Sequence, residues 1–378
     1  MEHKKSILLV HCHEISLFPP VLNLLDNLLC NGHRVTLITK DVDNHFYKTD
    51  LHLRVIRIQS ANRKTVAGNL LLHGGFQRRL RYLVARQMQH HDVLWTTTDA
   101  TVRELGDIVL DYCHVMQVLE LIRDIPKFPY QNRIMSHLDR YAKKAWKVVV
   151  PEYNRAYIQQ VWWELDRTPV VLPNKPYRLP DPLPGNGSEN EQIRRLEEEM
   201  EKESRRILLY QGTFEEDRDL TPFAEAARKN SEQYCLYVMG RDNDIRRELC
   251  RQFPEVRYIP FLPPPDHLRI TRHADFGLLP YIPVGAFHYS PLNALYCAPN
   301  KIFEYAAFGI PMLGTRVPGL EIPFHQYQMG ICCDRKADSV GKALEILFQD
   351  YDIRSRNSRR YYDSVDLDQI VEREILED

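Results

Sequence analysis

Short apolar runs alternate with amphipathic stretches along most of the chain. I-L-L-V within 6–11 reads as a strand buried on both faces, and R-V-T-L-I-T as a second. Between them Val21, Leu24, Leu25, Leu28 and Leu29 form a helical stripe that Pro19 and Pro20 open and Asn31-Gly32 close. Strand, helix, strand with short connections implies a right-handed parallel crossover. The alternation continues with a strand at 54–58, a long basic helix, a strand at 93–95, a helix at 102–110 and a strand at 115–119. A helix at 134–145, a strand at 148–150, a helix at 154–165 and a strand at 170–172 complete a first doubly wound α/β domain.

At Pro173 the pattern breaks. P-N-K-P-Y-R-L-P-D-P-L-P-G-N-G-S is rich in proline and glycine, and the charged helix at 191–203 has few apolar residues to bury, so 173–204 reads as a linker carrying a solvated helix. Strands are then expected at I-L-L-Y-Q-G, C-L-Y-V-M-G, V-R-Y-I, F-G-L-L-P, P-M-L-G-T and G-I-C-C, with helices at 221–229, 245–253 and 267–273. Four divisions follow: a Rossmann-like domain at 1–172, the linker, a second Rossmann-like domain at 205–350 and a charged helical tail at 351–378. In such sheets ligands bind beyond the carboxyl ends of the strands, so two domains of this kind are expected to face a common cleft.

Composition narrows the function. Fifty Lys and Arg against 51 Asp and Glu leave a formal charge of −1, so no global field argues for nucleic acid. Eight cysteines without C-x-x-C spacing fit a reducing compartment, and no apolar run is long enough to span a bilayer. A cytoplasmic protein is expected. The stretch 62–91 is locally basic, with Arg63, Lys64, Arg78, Arg79, Arg81 and Arg86 set among leucines and aromatics and no acid. It is either a peripheral contact for an anionic membrane or an amphipathic domain helix with a solvated basic face. Trp162-Trp163 reads as packing.

Candidate chemistry clusters at strand ends. His11, His13 and Glu14 follow the first strand and could act as general base, sugar-binding groups or metal ligands, or form an ordinary loop; no third ligand at standard spacing supports a metal. In the second half Gly212 would let a phosphate approach the backbone and Arg218 could neutralise it; an ordinary turn with a surface arginine is the alternative. Asn300, Lys301 and Glu304 sit in a helix whose apolar face is Ile302, Phe303, Ala306 and Ala307. One turn lies between Asn300 and Glu304, so a phosphate at the helix mouth and a ribose on the carboxylate would together hold a nucleoside diphosphate. Alternatively, Glu304 only favours the helix dipole and Lys301 is solvated. G-x-G-x-x-G, G-x-x-x-x-G-K-[ST] and G-x-S-x-G are all missing, which disfavours dehydrogenases, P-loop NTPases and α/β hydrolases.

P-N-K-I-F-E-Y-A-A-F-G-I-P-M-L resembles the donor-site signature of GT-B fold glycosyltransferases of the group 1, GT4-like family. L-Y-Q-G-T-F-E-E-D-R-D-L and V-M-G followed by H-A-D-F-G-L-L-P-Y fall in the family's order. The resemblance implies a hexosyltransferase-type enzyme of polysaccharide biosynthesis. It would move a sugar from a nucleotide-sugar co-substrate to a glycan or lipid-linked acceptor, with retention and without metal or other cofactor. It implies donor contacts from Glu304 on the ribose, from Arg218, Lys301, Gly212 and Asn300 around the diphosphate, and from Tyr296. It places the acceptor near His11 and Glu14, with His13 and Glu120 catalytic. Departures are Tyr296, where many relatives carry the first glutamate of E-x7-E, Asp219 after Arg218, and Leu119 before Glu120. A nucleotide-sugar epimerase of the same fold and a degenerate binding subunit are the alternatives.

Overall fold

The structure, a computed structural model, describes residues 4–41, 50–59, 66–128, 131–180, 191–285 and 289–377. It divides into two compact units. The first comprises Met1–Tyr177, Phe287–Ser290 and Asp366–Asp378, and the second Arg178–Ala286 and Pro291–Val365.

In the first unit the apolar runs become β1 (Ser6–Glu14), β2 (Arg34–Asp41), β3 (Leu53–Arg57), β4 (Val93–Thr97) and β5 (His114–Gln117). A hairpin of β6 (Asp124–Phe128) and β7 (Gln131–His137) follows, then β8 (Lys147–Val150) and β9 (Val170–Val171). All but the hairpin form one parallel sheet ordered β3-β2-β1-β4-β5-β8-β9. Strand order reverses between β1 and β4, and in open parallel sheets the carboxyl ends of strands at such a switch point are where ligands bind.

The second unit repeats the plan. Its strands are β10 (Arg206–Gln211), β11 (Tyr234–Gly240), β12 (Arg257–Pro260), β13 (Phe276–Leu279), β14 (Met312–Thr315) and β15 (Gly330–Cys333). They are parallel, in the order β12-β11-β10-β13-β14-β15, with the switch between β10 and β13.

Several expectations give way. The helix expected at 134–145 is strand β7, antiparallel to β6, and only Asp139–Ala142 is helical. Ile134 and Met135, at the start of that expected helix, are exposed on the hairpin. The helix expected at 102–110 begins earlier, as an α-helix at Asp99–Leu105, and continues as a 3₁₀ helix at Gly106–Asp111, the change falling at Gly106, whose φ is 58°. The helix Glu191–Glu201 is not merely solvated: Ile193 and Met200, two turns apart, are buried in the core of the second unit, and Glu197 pairs with Arg269. The C-terminal tail is no separate body. The helix Tyr351–Asp363 stays with the second unit, whereas Val371, Ile375 and Leu376 are buried in the first, where Asp368 accepts from Asn27 at 2.7 Å.

The basic helix Val66–Met88 is amphipathic where its side chains are described. Leu80, Val84 and Met88 are buried, and Arg78, Arg79, Tyr82 and Arg86 are exposed; Arg63 and Lys64 lie outside the described residues. Trp163 packs in the core and donates to Arg123 O at 2.9 Å. No helix among the described residues is long and apolar enough to cross a membrane.

Candidate functional site

At the switch point of the second unit, β10 delivers Gln211 and Gly212, and the segment after β13 delivers Tyr281. The seven-residue helix Asn300–Ala306 brings Lys301 and Glu304 to them. Pro299 caps the start of this helix, and its extended φ and ψ set the entry of the chain. Tyr305 anchors the helix by donating to Leu209 O at 2.9 Å, with its ring against Gly277, where a Cβ would have no room.

Glu304 is 4% exposed and fully engaged on one side. Its Oε2 accepts from Gln211 Nε2 at 2.5 Å, and its Oε1 lies 3.2 Å from His267 Nε2. Thr271, one turn along the helix His267–Thr271, places its Oγ1 2.7 Å from Gln211 Oε1 and 2.9 Å from His267 O, while the carboxylate, which can only accept, sets the amide with its NH2 toward Glu304. Burial alone would raise the Glu304 carboxyl; His267, Lys301 and the Gln211 hydrogen bond outweigh it and hold the group below the ordinary carboxylate range. Each oxygen keeps a lone pair, so the carboxylate can accept two further donors.

Lys301 is half-buried between two tyrosines, its ammonium 5.8 Å from the Tyr210 ring centre and 5.9 Å from that of Tyr281. Burial, then the nearby Arg218 charge, pushes it down to about 8. Among the described residues no carboxylate lies within ion-pair distance of it. Gly212 makes this position possible: its φ is 135°, and a Cβ there would lie 2.6 Å from Lys301 Cε. Arg218 stacks over Tyr281 at 4.8 Å, but its NH1 is taken by Asp217 and by Glu215 at 3.5 Å. Of the two cations, Lys301 is therefore the one without a direct ion pair among the described residues. The arrangement can hold a compact dianion against Lys301 and the Gly212 backbone, with a vicinal diol on Glu304.

The structure thus gathers Gly212, Arg218, Lys301 and Glu304 into one place. Asn300 is half-buried as the first residue of the same helix, and Tyr296 is half-buried in the preceding turn, its N–H donating to Leu292 O at 2.9 Å. Sequence reading missed Gln211, His267, Thr271 and Tyr281. Gln211 left a signal, a polar residue closing an otherwise apolar strand, and His267 and Thr271 share a helix face at i, i+4 spacing.

In the first unit, His11 is fully buried at the switch point, its Nδ1 2.8 Å from Thr97 Oγ1 and its ring 4.6 Å from Phe18. Burial, then His13 and Lys40, pushes His11 down to about 3. Burial, then Lys40, lowers His13. Glu14 is exposed. Glu120, half-exposed after β5, faces Arg155 at 3.8 Å; no hydrogen bond or ion pair joins it to His13. His114, at the start of β5, bonds Thr96 at 2.8 Å, away from the strand ends. Among the described residues no cluster of ligating side chains could hold a metal ion.

Residues 218–370 match the family model described as glycosyl transferase-like, a span that includes P-N-K-I-F-E-Y. No curated protein matches. Among solved structures, a glycosyltransferase from Rickettsia africae shares 14% identity over 99% of this chain and 97% of its own, with a TM-score of 0.65. WaaG, a glycosyltransferase involved in lipopolysaccharide biosynthesis, shares 14% over 97% of this chain and 98% of its own, at 0.62. HepE from Anabaena, in complex with UDP and glucose, shares 12% over 97% of each chain, at 0.64. The chain thus shares the GT-B fold with these structures, and its residues 218–370 match the glycosyl transferase-like family model.

Proposed function

We propose that the protein transfers a sugar from a nucleoside-diphosphate sugar to a glycan or lipid-linked acceptor, as a hexosyltransferase of polysaccharide biosynthesis. The observation that carries this reading is Lys301: a cation packed onto Gly212 at a topological switch point, with no carboxylate within ion-pair distance among the described residues. The departing nucleoside diphosphate must place its charge on a fixed partner, and a pre-positioned ammonium in a poorly hydrated site stabilises that charge as it develops. Arg218, stacked on Tyr281, shapes the floor of the site and adds a more distant positive charge. Glu304 takes the ribose diol, Asn300 lies at the phosphate end of its helix, and Tyr296 borders the donor sugar. These cations suffice for the leaving group without a metal. Retention of anomeric configuration completes the proposal and rests on the family resemblance.

The first unit supplies the acceptor side. His11 and Glu14 bind the acceptor, and His13 and Glu120 are the groups proposed to handle its hydroxyl. Burial holds His13 neutral near pH 7, as a proton acceptor requires. The HepE complex with UDP and glucose supports a nucleotide and a sugar as ligands that this fold accommodates.

The test is turnover. Incubated with UDP, GDP, CDP and ADP sugars and an oligosaccharide or polyprenyl-phosphate sugar acceptor, the protein should release one nucleoside diphosphate in step with acceptor extension. Release of epimerised donor without extension would replace this reading with the epimerase, and neither event with any donor would favour the binding subunit.

A further inference from the structure

Glu304 has drawn attention as a lone carboxylate, yet the geometry shows it as one member of a chain of four side chains. Thr271 Oγ1 lies 2.7 Å from Gln211 Oε1, Gln211 Nε2 donates to Glu304 Oε2 at 2.5 Å, and His267 Nε2 lies 3.2 Å from Glu304 Oε1. An ionised carboxylate can only accept, so His267 Nε2 must carry the hydrogen. The His267 ring thereby donates to the carboxylate from its inner nitrogen. Its other nitrogen, Nδ1, is buried and has no partner among the described residues. A buried ring nitrogen without a partner is costly unless something else meets it. His267 and Thr271 belong to a single helix, so one element clamps the carboxylate from both sides, directly through His267 and through Gln211 from Thr271.

Resting on the reading of Glu304 as the ribose ligand, we propose that His267 is the positioning residue of the nucleoside subsite. It holds the Glu304 carboxylate in the orientation that accepts both ribose hydroxyls. Preference for ribonucleotide over 2′-deoxyribonucleotide then depends on His267, while the diphosphate, held at Lys301, does not.

Calorimetry with UDP, GDP, CDP and ADP, with their 2′-deoxy counterparts, and with inorganic pyrophosphate separates these roles. Wild-type protein should bind one ribonucleotide about tenfold or more tightly over its deoxy form, the scale expected for a charged hydrogen bond. In His267→Ala that ratio should fall to within about threefold with pyrophosphate affinity unchanged, and His267→Gln, which restores a donor, should recover part of the ratio. A ratio that persists in His267→Ala overturns the assignment. So does equal loss of pyrophosphate binding in both variants, which would mark a purely structural role. If no nucleotide binds the wild type, the donor-site reading itself fails.

Discussion

Lys301 is held in the fold at a cost to stability. Its ordinary value of 10.5 falls to about 8 through burial first and the Arg218 charge second. Below about pH 8 the folded and unfolded chains both carry the proton, and the full cost is present. Between about 8 and 10.5 the folded protein releases it first, so stability rises with pH across that window. Discounted for partial exposure, the cost at neutral pH is on the order of 2 kcal/mol. Lys301→Met should therefore raise the thermal midpoint by a few degrees, roughly 2–4 °C per kcal/mol, while abolishing diphosphate binding. A midpoint that falls would show that the ammonium stabilises the fold. The same sign governs ligand binding: nucleotide affinity should fall as pH rises above about 8, because binding must then take up a proton, and a flat titration from pH 7 to 9.5 would count against Lys301 as the phosphate partner. Glu304 behaves oppositely. Its folded value is lowered, so its contribution is present above the ordinary carboxylate range and lost as pH falls through the folded value. Glu304→Gln should weaken nucleotide binding by on the order of 1–3 kcal/mol in calorimetry. The sequence showed Lys301 and Glu304 through their spacing, but it could not show that Arg218 is occupied by Asp217 and Glu215, because that pairing depends on how a loop turns.

At the scale of elements, strands were legible wherever an apolar run was short and bounded, since a parallel strand buried on both faces has no other solution. The hairpin β6–β7 was not, because its exposed Ile134 and Met135 mimic a helical stripe. The charged helix Glu191–Glu201 was misjudged for the opposite reason: two apolar residues suffice when they sit seven apart and the surrounding carboxylates find arginines. Met200→Asp should lower the stability of the second unit by about 2–4 kcal/mol, read from denaturant midpoints; a change under about 0.5 kcal/mol would return the helix to solvent. The outward face of Val66–Met88 presents Arg78, Arg79, Tyr82 and Arg86. We propose that this face supplies the peripheral membrane contact, and flotation with anionic liposomes at low but not high salt is the expected result. Failure to float at either salt would leave those arginines as a solvated face.

For the molecule as a whole, the doubling of the α/β plan was visible in the repeated strand-helix alternation. The destination of the last residues was not. Val371, Ile375 and Leu376 read as a charged tail's minority of apolar positions, and only the three-dimensional arrangement shows them buried in the first unit beside Asn27 and His33. The chain passes between the two units four times, after Tyr177, on either side of Phe287–Ser290 and before Asp366. The account's central claim is that the second unit binds a nucleoside diphosphate through Lys301. Isothermal titration of UDP, GDP, CDP and ADP into wild-type protein and Lys301→Met tests it most directly. One nucleotide should bind the wild type and lose at least about a hundredfold in affinity in the variant, the scale of a charged hydrogen bond in a poorly hydrated site. Equal affinity in the two proteins would contradict the claim.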